Sequence, residues 1–220
     1  MAKQKKRKNK SAPPKVLNFV ICDTNVVILM STFKPSVMFA FKYSFGAVEI
    51  HSSVIEEIEN WIKRNGEKLR KFGLQFLEFV LEWCRKHTGQ LEDVPEPQLS
   101  QGIKYLDTLE SHLSPDLKGL ATSRVDRHLL VLAFRRGVAL ATQELTLRSL
   151  AKRSLNDPKR IISFEDMLRE ILIERALTPQ EARDCLSTLE KRDEHLLKGE
   201  RKRILDLIEQ LQRSNSSNGP

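Results

Sequence analysis

Val16-Leu17-Asn18-Phe19-Val20-Ile21-Cys22-Asp23-Thr24-Asn25 is the stretch on which the fold turns. A short, nearly unbroken apolar run bounded by polar residues has the pattern of a strand buried on both faces. It ends at Asp23, and Thr24 and Asn25 follow, all three residue types that cap helices well. A strand that hands an acid to the start of a helix places that acid at the carboxyl edge of a parallel sheet, where ligands of α/β folds bind.

Three further segments repeat the arrangement. Gly46 resets the chain after a helix expected over 35–45, entered at Pro35, and a strand is expected over 47–51. The helix that follows, 53–64, carries the stripe Val54, Ile55, Ile58, Trp61 and Ile62, is stopped by Gly66, and bears Glu57. The helix 124–136 is apolar on nearly every side, hence central, and Asp126 opens it. Gly137 ends it, the strand 138–142 follows, and Glu144 comes just after that strand. A helix over 145–153, a strand over 160–163 and a helix over 164–175 complete the repeat. Strands alternating with helices predict an α/β fold with a parallel central sheet covered on both faces.

Two regions do not fit the repeat. Between about 66 and 120 lies a helical insertion: an amphipathic helix over 67–88 with Leu69, Phe72, Phe76, Phe79, Val80 and Trp83 on one face, a Pro-, Gln- and Gly-rich turn over 89–102, a helix over 103–113 and a loop to 123. After Thr178-Pro179-Gln180-Glu181, a capping box with proline at the first helical position, come helices to about 191 and over about 194–212, with no further strand. The expected organisation is a tail over 1–15, an α/β domain over 16–176, a C-terminal helical extension over 177–212 suited to an interface, and a polar, disordered end over 213–220.

The tail concentrates the charge. Of 37 lysines and arginines, six (Lys3, Lys5, Lys6, Arg7, Lys8 and Lys10) precede Ser11, leaving 31 bases against 29 acids in the remainder. A local polycation with no apolar content does not fold and suits phosphates. It also reads as a solubilising arm or, in a eukaryote, a nuclear import signal. Aromatics at 6% advertise no base-stacking platform. Cys22, Cys84 and Cys185 are an odd number at no metal-ligand spacing, as expected of small buried hydrophobes in a reducing compartment. No apolar run approaches the roughly 18 residues of a spanning helix, and no signal-peptide pattern opens the chain, so a cytoplasmic protein is expected.

Each acid has an ordinary explanation. Asp23 reads as a cap for the helix after the first strand. Glu57 lies beside Val54 and Trp61 on the margin of the apolar stripe, while Glu56 points away and forms a capping box with Ser53. Asp126 lines up with Leu129, Leu130 and Ala133 and reads as capping partner of Ser123. Glu144 favours the positive end of the helix beginning near Leu145. Capping alone does not select acids at four junctions on one sheet edge, because Ser, Thr or Asn serve equally. Gathered carboxylates repel unless a cation lies between them, and a hard divalent ion, Mg²⁺ or Mn²⁺, is the candidate. Other chemistry is less well supported. His128, two residues past Asp126, is placed to reach a substrate but reads as structural, and His51, His87, His112 and His195 show no pairing with one another. No glycine-rich phosphate loop is present.

Val20-Ile21-Cys22-Asp23-Thr24-Asn25, Ser52-Ser53-Val54-Ile55-Glu56-Glu57-Ile58, Val125-Asp126-Arg127-His128-Leu129 and Leu140-Ala141-Thr142-Gln143-Glu144-Leu145 together resemble PIN-domain nucleases over about residues 16–175, interrupted by the helical insertion. The resemblance implies a Rossmann-like α/β/α sandwich and a metal-dependent nuclease, usually acting on RNA. Asp23, Glu57 and Asp126 match the family's usual acids. Glu144 departs from a position that is mostly aspartate, which alters its reach and the geometry of a second metal. Asn25 and Thr142 match positions that orient the site or its water. The implied activity is a metal-dependent endoribonuclease, toxin-like (with an antitoxin gripping the helices after Thr178), RNA-processing or defensive. A catalytically degraded RNA-binding or scaffold protein and a structure-selective DNA nuclease are the alternatives, and a homo-oligomer is open.

Overall fold

Four short strands, β1 (Phe19–Cys22), β2 (Ala47–Glu49), β3 (Ala139–Ala141) and β4 (Ile161–Ile162), pair as one parallel sheet in the order β2-β1-β3-β4. The structure is a computed structural model that describes residues 19–87, 89, 91–113, 122–155, 157, 160–191 and 199–216. The expected basic tail, its phosphate-binding residues Lys3 to Lys10, the start of the first strand at 16–18, and segments 114–121 and 192–198 lie outside the described residues.

Val20, Ile21 and Cys22 are each fully buried, as are Leu140 and Ala141. Successive strand residues point to opposite faces, so burial of all of them means that both faces of the sheet are covered. β1 pairs with β2 in the register Val20↔Val48 and with β3 in the register Ile21↔Leu140. The chain leaves β1 toward β2 on one side and returns to β3 on the other. The strand order therefore reverses between β1 and β3, the place where open α/β sheets bind ligands.

The helices are α1 (Thr24–Ser31), α2 (Pro35–Phe45), α3 (Ser52–Lys63), α4 (Glu67–Phe72), α5 (Leu74–His87), α6 (Glu96–Ser111), α7 (Arg124–Arg136), α8 (Leu145–Ser154), α9 (Phe164–Ile173), α10 (Pro179–Lys191) and α11 (Glu200–Ser216). α2 packs on β2 and α9, α7 on β3 and α8, and α8 and α9 on β4. No helix among the described residues is long and apolar enough to cross a membrane. Cys22, Cys84 and Cys185 are buried and form no disulfide, and burial pushes the thiols of Cys84 and Cys185 up to about 12. They pack as small hydrophobes.

The structure corrects the reading of the insertion in three places. The helix expected over 67–88 is two helices, broken at Gly73, whose φ of +80° suits glycine. The break rephases the buried face. Leu77, Val80, Leu81 and Cys84 are buried, whereas Phe79, expected inward, is half exposed. α6 begins at Glu96, not 103, because Pro95 and Pro97 sit at its start, where missing N–H groups cost nothing. Gly102, read as a turn residue, lies within α6 against α7. A Cβ there would fall 2.7 Å from both methyls of Val131, so the glycine permits close approach.

Smaller differences occur at caps and ends. α3 is capped by His51, whose ring accepts from the Ser53 N–H, so the expected Ser53–Glu56 capping box is replaced. α11 runs to Ser216, past the boundary expected at 212. The Thr178–Glu181 capping box is present, with the Thr178 N–H 2.9 Å from Glu181 Oε2. Ala182, Leu186 and Leu189 of α10 and Ile204 and Ile208 of α11 are buried within the chain, where both helices pack on α9. Their apolar faces are thus already covered.

Candidate active site

Asp23 continues β1, its N–H donating to Ala141 O at 3.0 Å, and then turns its side chain to cap α1. Oδ1 accepts from the Val26 N–H at 2.7 Å. Oδ2 is buried with no hydrogen-bond partner. The expectation that it caps α1 holds, and the cap uses only one of its two oxygens. Burial pushes its pKa up to about 7, against the pull of Thr142 and the Val26 N–H, and Asp126 and Glu144 raise it further by repulsion.

Asp126 is also both cap and pocket residue. It shares a capping box with Ser123, whose N–H donates to Oδ2 at 2.9 Å while Ser123 Oγ accepts from the Asp126 N–H at 3.0 Å. Only 6% exposed, it is held above the usual carboxylate range by burial, against the hydrogen bonds of Ser123.

Glu57 and Glu144 are half-buried. The Thr24 hydroxyl, at the first position of α1, donates to Glu57 Oε2 at 2.5 Å. The Asn25 amide, one residue on, donates to Glu144 Oε1 at 3.3 Å. The Glu144 N–H donates to Thr142 Oγ1 at 3.1 Å, and Thr142 is fully buried. Glu144 occupies the N-cap position of α8, where its charge favours the helix's positive end as expected, but its side chain makes no capping hydrogen bond. Burial raises the pKa of both glutamates, and Asp126 raises each further by repulsion.

The four acids thus come together around the β1/β3 reversal: Asp23 and Asp126 buried, Glu57 and Glu144 toward solvent. Asn25 and Thr142 hold Glu144, and Thr24, which the sequence offered only as an alternative cap, holds Glu57. The acids stand wider apart than a closed cage. Among the described residues, the group whose ligand atoms all lie within 4.8 Å of one another is a different one, His51, Asp93 and His128. A wider ring of oxygens suits a hard ion that keeps several waters and takes one or two direct carboxylates.

Two features escaped the sequence. Lys68, on the short helix α4, favours the charged forms of Glu57, Asp126 and Glu144, and its ammonium lies over the Trp61 ring at 5.2 Å. His51 and His128, expected to be unpaired, meet edge-on with centroids 5.0 Å apart and share Asp93. Both features depend on how the insertion folds back, which no local pattern records. An apolar cleft of about 310 Å³ between α6 and α7, lined by Gly102, Tyr105, Leu130 and Phe134 among others, includes none of the four acids.

Comparison with protein-family models, with curated proteins and with solved structures found no match for this chain.

Proposed function

We propose that the protein is a divalent-metal-dependent nuclease with a PIN-like site on a Rossmann-like sheet, and that RNA is its substrate. The observation that carries this reading is the buried, unpartnered Oδ2 of Asp23, a residue that Asp126 and Glu144 repel at the sheet reversal, with Glu57 in mutual repulsion with both of those acids. An isolated buried charge costs several kcal/mol, and a fold with no use for this one would have replaced it. The donor set is all oxygen, which suits Mg²⁺ or Mn²⁺. Asp23 and Asp126 would hold the ion, with Glu57 and Glu144 completing the set directly or through water. When bound, the ion supplies Lewis-acid stabilisation of charge on the scissile phosphate and a more acidic water.

The chain's own contribution is positioning and proton handling. The Val26 N–H, Thr24 hydroxyl, Asn25 amide and Ser123 N–H each fix one carboxylate, so the set is oriented before substrate arrives. Glu57 and Glu144, partly open to solvent and with proton affinity raised by burial, suit acceptance of the proton from an attacking water. Lys68 offers a positive charge beside the acids for an approaching phosphate.

The test is incubation of labelled RNA and DNA of one sequence with Mn²⁺ or with EDTA, using wild type and Asp23→Asn. Cleavage of RNA that needs Mn²⁺ and vanishes in the variant supports the reading. Preferential cleavage of DNA moves it to a DNA nuclease. Chelator-indifferent RNA retention without cleavage reduces the protein to a binding or scaffold role.

A further inference from the structure

The insertion brings a second set of metal-ligand side chains together, away from the carboxylate pocket. His51 comes from the residue that caps α3, Asp93 from the segment between α5 and α6, and His128 from the first turns of α7. One ligand atom from each lies within 4.8 Å of the other two. His128 Nε2 is 2.6 Å from Asp93 Oδ1, and His51 Nε2 is 3.8 Å from Asp93 Oδ2. Two imidazoles and a carboxylate suit zinc and its neighbours rather than the hard ions that all-oxygen sets prefer.

We propose that His51, Asp93 and His128 form a zinc-class divalent site that clamps the insertion to the two helices carrying Glu57 and Asp126. Ligand atoms about 3.3 Å apart are needed around a tetrahedral ion with bonds of about 2.0–2.1 Å. From 2.6 Å the closer pair must therefore open by about 0.7 Å, and from 3.8 Å the wider pair must close by about 0.5 Å. Asp93, with its side chain half exposed, is the ligand free to make that adjustment.

The surroundings are already suited to ligation. Asp93 is oriented by the Val94 N–H, which donates to Oδ1 at 2.7 Å. Its segment is pinned by Arg136, which donates to the carbonyls of Glu92 and Asp93 at 2.9 and 2.8 Å. His51 Nδ1 lies 2.9 Å from Ser53 Oγ. With the ring neutral and Nδ1 accepting from the Ser53 N–H, the ring proton is on Nε2. Binding a metal at Nε2 requires the other tautomer, in which Nδ1 carries the proton. The Ser53 hydroxyl then accepts it, the outer hydrogen bond that metal-bound histidines use. The tautomer exchange moves a proton from one ring nitrogen to the other through solvent and leaves the ring neutral. His51 is nearly buried and His128 mostly so, which leaves the Asp93 side open for the ion's entry and for a water as fourth ligand.

The clamp is independent of the reaction at the carboxylate pocket, and the experiment keeps the two apart. Full-length protein stripped with EDTA is titrated with Zn²⁺ calorimetrically in excess Mg²⁺, and with Co²⁺ followed by visible absorption. Stoichiometric binding and the intense ligand-field band of low-coordinate Co²⁺ are expected. Asp93→Ala, at a half-exposed position, should weaken Zn²⁺ binding at least about 100-fold with an unchanged circular-dichroism spectrum. Ser53→Ala should weaken it by about 10–100-fold. Asp23→Asn should leave it unchanged. Absence of Zn²⁺ binding by wild type, equal affinity in Asp93→Ala, or loss in Asp23→Asn instead would overturn the proposal.

Discussion

The carboxylate pocket and the His51–Asp93–His128 cluster draw on the same two segments, the start of α3 and the first turns of α7, yet differ in chemistry and assembly. Asp126 and His128 are two residues apart and so lie about 200° apart around α7, on opposite sides of the helix. On one side, four carboxylates reach the pocket from junctions that each follow a strand or open a helix; burial holds their pKa values up, and repulsion adds to it at Asp23, Glu57 and Glu144. On the other, an exposed acid is brought in by the insertion and lies between two imidazoles. Burial acts upward on Asp93, but hydrogen bonds from His128 and the Val94 N–H outweigh it and hold its pKa down. One region holds charge that the fold opposes, and the other holds charge that the fold rewards. The first arrangement suits the proposed ligand site, and the second is satisfied by its own hydrogen bonds.

The largest expected effect separates the two by activity. Asp126→Asn, which keeps shape and the capping acceptor, should lower RNA cleavage in Mn²⁺ at least about 10³-fold, equivalent to about 4 kcal/mol. Asp93→Ala should stay within about threefold of wild type. Equal losses in a gel assay of labelled RNA would merge the two regions into one site. Next, Asn25→Ala frees Glu144 without removing it, and should reduce turnover about tenfold while Mn²⁺ affinity falls less.

Stability should move in opposite directions in the two regions. The folded pKa of Asp23, about 7, exceeds its unfolded value near 3.9, so the folded state binds the proton more tightly. Its favourable contribution is complete below about pH 4 and is lost as pH rises through 7. Asp23→Asn keeps the acceptor for the Val26 N–H and removes the charge. In EDTA at pH 8 it should therefore raise Tm, by about 2–4 °C per kcal/mol relieved, with the gain fading toward pH 5. Asp93 has the opposite sign: its depressed pKa contributes stability above the unfolded value that is lost as pH falls through the folded one. Asp93→Asn should lower Tm slightly at pH 8. Thermal melts showing the same sign for both variants would break the comparison.

The smallest effect concerns the insertion alone. Gly73→Ala meets no neighbouring atom within 4 Å but must hold a φ of +80° with a ψ of +148°, which only glycine adopts readily, so strain of about 1–3 kcal/mol is the expected cost. A Tm lower by about 2–4 °C per kcal/mol, with cleavage unchanged, would mark the α4–α5 break as structural.

The same contrast explains what the sequence disclosed. Asp23, Glu57, Asp126 and Glu144 were legible because each belongs to a local pattern, an apolar run ending in an acid or an apolar helix bearing one, and the parallel order of strands then brings such places to one edge. Asp126 caps α7 and still lies beside the other acids, so the capping reading and the proposed one are compatible in one side chain. Gly73 and Gly102 misled in opposite directions: one broke an amphipathic pattern that looked continuous, and the other sat inside a helix because α7 approaches closely. Lys68 and Asp93 carried no signal at all. Their positions depend on the packing of the insertion against α3 and α7, including the hydrogen bonds from Arg127 to Asp107 at 2.6 Å and to Glu110, and that packing is a property of the whole chain.

The account rests most directly on cation binding at the carboxylate pocket. Mn²⁺ titration of EDTA-stripped full-length protein, followed by electron paramagnetic resonance with a single equivalent of Zn²⁺ present to fill the histidine cluster, isolates that binding. Wild type should bind Mn²⁺ with loss of the free-ion signal, Asp23→Asn and Asp126→Asn should each bind at least about tenfold more weakly, and Asp93→Ala should match wild type. Undiminished Mn²⁺ binding by both amide variants, or no binding by wild type, would contradict it.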